Sequence, residues 1–480
     1  MSNLTDLLPA GAGGKQVSFV ASGTIGNGVT VVLNSNGTVS VVTGSPQVLG
    51  SEVIFETTQT GETSCAFDSN SNKVVIAYRD EGNSNYGTAV VGTVSGTSIS
   101  FGTPVVYESA YVFYPSAVFD SNSNKIVVAY RDLGNGSYGT AIVGTVSGTS
   151  ISFGSPVVFN AGRVFFVSAT FDSNSNKVVV AYADDVNSDY GTAIVGTVSG
   201  TSISFGSEVV FNTAYPLSIK TTFDSNSNKV VIAYKDNGNS SYGTAIVGTV
   251  SGTSISFGSE SVFEAASTDE ISIDFDSTSN KIVIAYRDEA NSNYGTAVVG
   301  TVSGTSISFG TPVVFESATV TYTSTTFDPG NNKVVISYRD DGNSNYGTLI
   351  VGTVSGTSIS FESPVVFNAG NPTSFISSVY DPNAGKVVIA YRDSGVPGAA
   401  RVLQNGSTNN TDFIGISDAA ISDTASGSVT IKGGISTNVT GLTPNATYYV
   451  QTDGSLSTTT STVLAGKALS STSINLDYTT

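Results

Sequence analysis

The stretch that decides the fold reads Ser64-Cys65-Ala66-Phe67-Asp68-Ser69-Asn70-Ser71-Asn72-Lys73-Val74-Val75-Ile76-Ala77-Tyr78-Arg79-Asp80. A short segment ends at Phe67. Asp68 to Asn72 are residues that make turns with their own side chains. Lys73 to Tyr78 then form a nearly unbroken apolar run, the pattern of a strand buried on both faces. Past the loop from Arg79 to Asn85, the chain continues as Tyr86-Gly87-Thr88-Ala89-Val90-Val91-Gly92-Thr93-Val94. Ser95-Gly96-Thr97 turns it into Ser98 to Phe101 and on to Val105-Val106-Tyr107. This predicts four short strands separated by Gly, Asn, Asp and Ser, with no helical period.

The aromatic-Asp pair recurs at Phe119-Asp120, Phe171-Asp172, Phe223-Asp224, Phe275-Asp276, Phe327-Asp328 and Tyr380-Asp381, so the Asp steps are 52, 52, 52, 52, 52 and 53 residues. Seven units of this length and four strands each predict an all-β, seven-bladed β-propeller, and exclude helical arrays. The ends add a second argument. Gln47 to Glu56 match the last strand of a unit, Ile99 to Glu108, yet lack the first three strands; the seventh unit has strands near Tyr380, at Lys386 to Tyr391 and at Ala399 to Leu403, but no fourth. Three strands and one orphan make one blade, a velcro closure that removes exposed edges. A β-solenoid is the alternative, and it has no need of that complementarity.

The propeller accounts for residues 45–404. Its ends fall on one blade, so the flanks can meet. Val17 to Gly23, a hairpin from Val29 to Val42 turning at Asn36-Gly37, Phe413 to Ile416, Gly427 to Ile431, Ala446 to Val450 and Gly466 to Leu469 read as short strands. Residues 16–44 plus 405–480 are therefore expected to form one small β-rich module into which the propeller is inserted, with residues 1–15 as an N-terminal arm.

Composition narrows function. Among 480 residues, 37 are acidic and 19 basic, a net charge of −18, and charged residues are only 12%. Nucleic-acid binding, which relies on clustered Lys and Arg, is not expected. There is no His and no Trp and a single cysteine, Cys65. That removes a Ser-His-Asp triad, His-based zinc sites and intramolecular disulfides. No apolar run approaches a membrane span of about 18 residues, and Met1 to Lys15 carry no secretion signal. Release by lysis fits that reading. Gly11-Ala12-Gly13-Gly14-Lys15 lacks the spacing of a phosphate-binding loop.

Leu4-Thr5-Asp6-Leu7-Leu8-Pro9-Ala10-Gly11, Ala21-Ser22-Gly23-Thr24-Ile25, Val31 to Val39, Phe413 to Ile416, Gly441-Leu442-Thr443-Pro444 and Tyr448-Tyr449-Val450 resemble flanks of virion structural proteins of marine tailed bacteriophages, some of tail or fibre type. The repeat phrase Gly92 to Phe101 is similar to repeats in such proteins. The resemblance implies a virion protein, assembled in the host cytoplasm and extracellular after lysis, with other virion proteins and a host-surface glycan or protein as partners. It also makes a homo-oligomer plausible. It brings no site residues.

The seven copies differ unevenly. Their turns and hairpins are nearly verbatim, whereas the links from each fourth strand to the next first strand all differ. These links carry Tyr111, Phe113, Tyr114, Arg163, Phe165, Phe166, Tyr215, Lys220, Asp269, Glu270, Tyr322 and Phe375. As a ring of loops around the channel mouth they form a candidate ligand-binding face, since aromatic rings offer contact area at low entropic cost. The competing reading makes part of each link an inner strand, varied only to fit a tight channel. Asp68, Asn70 and Asn72 resemble the start of a calcium loop, but lack its Gly and distal acid, and Asp and Asn also cap turns. An Arg79-Asp80 pair is expected to fix the second loop. Recurrent acids are structural on this reading; Asp269, Glu270 and Asp274 occur once and are the only candidates for acid-base work. The expectation is a non-enzymatic host-recognition protein with no metal or cofactor. A structural or decorating virion component and a carbohydrate-cleaving tail protein are the alternatives.

Overall fold

The computed structural model describes residues 15–394, 397–451, 453–459, 461 and 463–476. The expected arm, residues 1–15, lies outside them apart from Lys15. Two compact units divide the chain: Leu49–Gln404, and the flanks up to Val48 and from Asn405 onward.

The flanking unit interleaves both ends of the chain. One antiparallel sheet has the order Gln16–Val20, Ser426–Ile431, Phe413–Ser417, Thr30–Leu33 and Val39–Val41. A second has the order Ile435–Ser436, Ile474–Leu476, Leu464–Ala468, Thr447–Val450 and Leu456–Ser457. Val32, Phe413, Ile416, Tyr448, Val450 and Ala465 share one buried cluster, so residues far apart in sequence shed water together.

In the repeat unit, Thr60–Asp68, Lys73–Asp80 and Tyr86–Ser95 are successive antiparallel strands. The third strand uses one half to pair Ser98–Phe101 and the other to pair the strand beginning at Val105. Three repeated devices explain the verbatim residues. Asp68 Oδ1 accepts the N–H groups of Asn70 (2.9 Å) and Ser71 (3.1 Å), and Asn72 ends the turn at φ +55°. A Cβ on Gly87 would stand 2.4 Å from the Tyr107 ring, so that strand admits only glycine there. Tyr78, fully buried, donates its hydroxyl to Glu56 Oε2 (3.1 Å).

The links differ from the loop reading. Val105–Asp120, Val157–Asp172, Ser261–Asp276 and Val313–Asp328 are continuous 16-residue strands, the outer strand of one unit running on as the inner strand of the next. Backbone pairing survives because a register shift between Phe113 and Ser116 absorbs the variable residues, and Val112 beside it is fully buried. Val53–Glu56 to Thr60–Asp68, Val209–Asn212 to Pro216–Asp224 and Val365–Asn368 to Thr373–Asp381 are interrupted. The variable face is thus built largely of strand bulges.

The last unit comprises Thr373–Asp381, Lys386–Asp393 and Gly398–Gln404, and the third of these pairs with Val53–Glu56 through Gly398↔Glu56 and Ala400↔Val53. Tyr391 donates to Glu52 Oε2 at 2.6 Å. The inner strands of the last and first units are bonded as well: Cys65 N–H donates to Ser377 Oγ (3.0 Å) and Thr63 Oγ1 to the Phe375 carbonyl (2.5 Å). Phe55, Val74, Ile76 and Tyr78 pack in one cluster with Val388, Ala390, Ala400 and Val402.

Candidate binding site

At the bulge of each inner strand the seven units present Glu62, Tyr114, Phe166, Ser218, Glu270, Tyr322 and Phe375, and all seven line one cavity of about 390 Å³. From Tyr114 to Phe375 these residues have φ of +50° to +53°, a left-handed conformation that aims each side chain out of the ladder. A second cavity of about 150 Å³ is lined by the residues that follow, among them Ser64, Ser116, Ser168, Lys220 and Ser377.

Of the residues singled out in the sequence, Tyr114, Phe166, Lys220, Asp269, Glu270, Tyr322 and Phe375 line the larger cavity. Tyr111, Phe113, Arg163, Phe165 and Tyr215 do not. They extend the aromatic surface beside it: ring centroids lie 4.5 Å apart for Tyr111 and Phe113, 5.4 Å for Tyr114 and Phe166, and 6.1 Å for Phe165 and Tyr215. Tyr322 and Phe375 form a second, separate pair at 5.2 Å.

The arginines that end the second strands hold these rings. Arg131 lies 4.3 Å from the Phe113 centroid and 5.1 Å from that of Phe165, Arg79 lies 4.9 Å from Phe113, Arg339 lies 5.0 Å from Tyr322, and Arg392 lies 5.4 Å from Phe375. Arg163 covers Phe165 at 4.5 Å in the unit that has Ala183 instead of an arginine. Where acids stand at or beside the bulge, the arginines form ion pairs. Arg79 meets Glu62 at 2.7 Å, and Arg287 meets Asp269 at 3.2 Å and Glu270 at 3.8 Å. The expected Arg79-Asp80 pair does not form. Successive side chains on a strand face opposite ways, and Asp80 accepts the Asn83 N–H (3.0 Å) in the loop beyond.

Burial governs the charges. It raises the carboxyl pKa of Glu62 against the pull of Arg79, and that of Glu270 against the Tyr322 N–H and Arg287. It lowers Lys220, opposed only by Glu270. Lys220 is nonetheless an exposed side chain, open to water in the cavity it lines. Asp274, deeper in the same unit, is raised to about 6 by burial although it accepts the N–H groups of Phe275 and Phe327, both at 2.8 Å. Cys65 is pushed up to about 12 by burial, which leaves it a protonated thiol.

Glu62, Ser218 and the arginines were not among the sequence-derived candidates. Glu62 and Ser218 stand 52 residues before Tyr114 and after Phe166, a spacing already present in the repeat. Asp68 and its six counterparts spend their oxygens on turn N–H groups, and no cluster of metal-ligating side chains occurs among the described residues.

No protein-family model and no curated protein matches the sequence. Among solved structures, the BP39L lectin from Burkholderia pseudomallei is similar over 71% of this chain and 98% of its own, with 13% identity and a TM-score of 0.50. Sqt1 from Chaetomium thermophilum matches at 11% identity over 72% and 85% of the two chains, with a TM-score of 0.45. The Cps50 (Swd1) β-propeller domain of Myceliophteria thermophila matches at 9% identity over 72% and 99%, with a TM-score of 0.46. At such identities the likeness concerns fold alone, and it is to all-β repeat proteins of the β-propeller type.

Proposed function

We propose that this chain is a non-enzymatic recognition protein of a tailed-phage virion, which binds a host-surface glycan or protein at the mouth of a seven-bladed propeller. The observation that carries the reading is the coincidence of variation and geometry: seven of the twelve variable side chains singled out in the sequence line one cavity of about 390 Å³. Ring closure is part of the proposal. It is supported by the pairing of Val53–Glu56 with Gly398–Gln404, the Tyr391–Glu52 bond and the Cys65–Ser377 bond. The sequence resemblance of the flanks supports the virion setting and a role for the flanking unit in attachment to other virion proteins. Multiple copies on one particle would multiply weak single-site affinities.

The test compares binding of the full chain to candidate host cells with that of a variant carrying Tyr114→Ser, Phe166→Ser, Tyr322→Ser and Phe375→Ser. Serine already occupies this bulge, in the same backbone conformation, at Ser218 (φ +50°). Saturable binding by the chain and at least about tenfold weaker binding by the folded variant are expected, because truncating central aromatic contacts costs about 2 kcal/mol or more. Equal binding would remove recognition from the cavity; no binding by either, presented multivalently, would favour a structural or decorating component.

A further inference from the structure

Six units place serine at one inner-strand position: Ser64, Ser116, Ser168, Ser272, Ser324 and Ser377. These hydroxyls join neighbouring inner strands. Ser64 Oγ accepts the Ala117 N–H at 2.9 Å, Ser116 that of Ala169 at 2.9 Å, Ser168 that of Thr221 at 3.0 Å, Ser324 that of Ser378 at 3.0 Å and Ser377 that of Cys65 at 3.0 Å. Ser272 meets Thr325 Oγ1 at 2.7 Å. The fourth unit has Lys220 instead, which has no acceptor for such a bond.

Lys220 lines both cavities. The residue is exposed to the cavity, and among the described residues its ammonium has no hydrogen bond or ion pair. The acids around it are committed elsewhere. Glu62 pairs with Arg79, Asp269 with Arg287 and the Ser218 hydroxyl, Glu270 with Arg287 and the Tyr322 N–H (2.7 Å), and Asp274 with two N–H groups. An ammonium that faces the water of a cavity and has no protein acceptor is open to an anionic ligand. Serine, standard at this position, would supply the inter-strand bond instead.

We propose that the cavity takes a carboxylate-bearing sugar residue, its carboxylate on Lys220 Nζ and its ring face against the aromatic wall of Tyr114, Phe166, Tyr322 and Phe375. The inference rests on the binding reading above and names its ligand class. One uncommitted positive charge among partnered carboxylates suits a single negative charge and disfavours a phosphate dianion. Hydroxyl groups of a sugar have acceptors in Asp269 and Glu270, whose lone pairs outnumber their present partners. The volume lies within the range of about 300–1,000 Å³ that small-ligand pockets occupy.

The experiment is calorimetric titration of the full chain with oligosaccharides of glucuronate, mannuronate and sialic acid, each beside its carboxyl-reduced, neutral counterpart. The wild type is expected to prefer an acidic form by about tenfold or more. Lys220→Ser, which restores the serine of the other units, should fold and lose the preference, and Lys220→Arg should keep it. No preference in the wild type, or a preference that survives Lys220→Ser, would overturn the proposal. Host-cell binding in the bulge-variant assay, with no carboxylate preference here, would sink this inference and leave recognition at the mouth standing.

Discussion

Adjacent residues on a strand look in opposite directions, and Arg79 and Asp80 show what that does to a charged pair. Arg79 turns toward Glu62 and the Phe113 ring, while Asp80 turns into its loop. A reading by sequence proximity joined them; strand alternation separates them. Asp274 is the residue whose environment gives the clearest solution signature. Its counterparts are Ala66, Val118, Thr170, Thr222, Thr326 and Val379, none of which ionises. With its pKa raised to about 6, against about 3.9 in an unfolded chain, the folded state binds this proton more tightly. Its contribution therefore favours the fold below about pH 4 and is lost as pH rises through about 6. Asp274→Asn keeps a carbonyl oxygen for the Phe275 and Phe327 N–H groups and removes the charge. Urea unfolding near pH 4 and near pH 7 should show wild-type stability falling relative to the variant by on the order of 2 kcal/mol; parallel pH profiles would contradict the assignment.

At the scale of the element, the tight turn and the buried tyrosine are the repeated units of stability. Asp68→Ala leaves the Asn70 and Ser71 N–H groups without their acceptor. A loss of about 1–2 kcal/mol is expected, and millimolar calcium should not shift the melting temperature of the wild type; a calcium-dependent rise would revive the metal reading of the turn. The tyrosine network follows a rule written in the repeat. Tyr78, Tyr130, Tyr286 and Tyr338 donate to Glu56, Glu108, Glu264 and Glu316 at the start of their own units. Where that position is Asn160 or Asn212, the acceptor is supplied by Glu208 or Glu260 at the unit's end, at 2.8 Å in both cases, and the asparagine amide donates to the same oxygen. The units with glutamate at the start have Pro104, Pro156, Pro312 and Pro364 at that second position. Each buried hydroxyl thus gets one carboxylate, from one of two places, because leaving it unpaired is costly.

For the whole molecule the same rule predicts closure. The seventh unit has Asn368 at its start, and its missing glutamate is Glu52, which lies before the first complete unit and accepts from Tyr391 at 2.6 Å. Glu52→Ala should therefore destabilise Leu49–Gln404 by about as much as Glu56→Ala, roughly 1–3 kcal/mol, measured by thermal unfolding of the full chain. In an open array residue 52 would belong to a terminal edge and its substitution would be nearly silent. That outcome would contradict closure.

Strand-and-turn content, the length of the repeat and the match of Gln47 to Glu56 with the last strand of a unit are legible in the sequence alone. These rest on local chemistry: unbroken or alternating apolar runs in strands and Asp, Asn and Gly in turns. The sequence also marked the variable links, but not their form. Folding alone places Tyr111 and Phe165 beside the cavity and Glu62 and Ser218 in it, sets Arg131 between rings of two units, and leaves Lys220 without the partners its neighbours have. Those facts depend on which residues about 52 positions apart meet across the inner strands, and on one extra residue in each bulge. A shift of one position there exchanges buried and channel-facing side chains, so the pattern along a single strand cannot specify it.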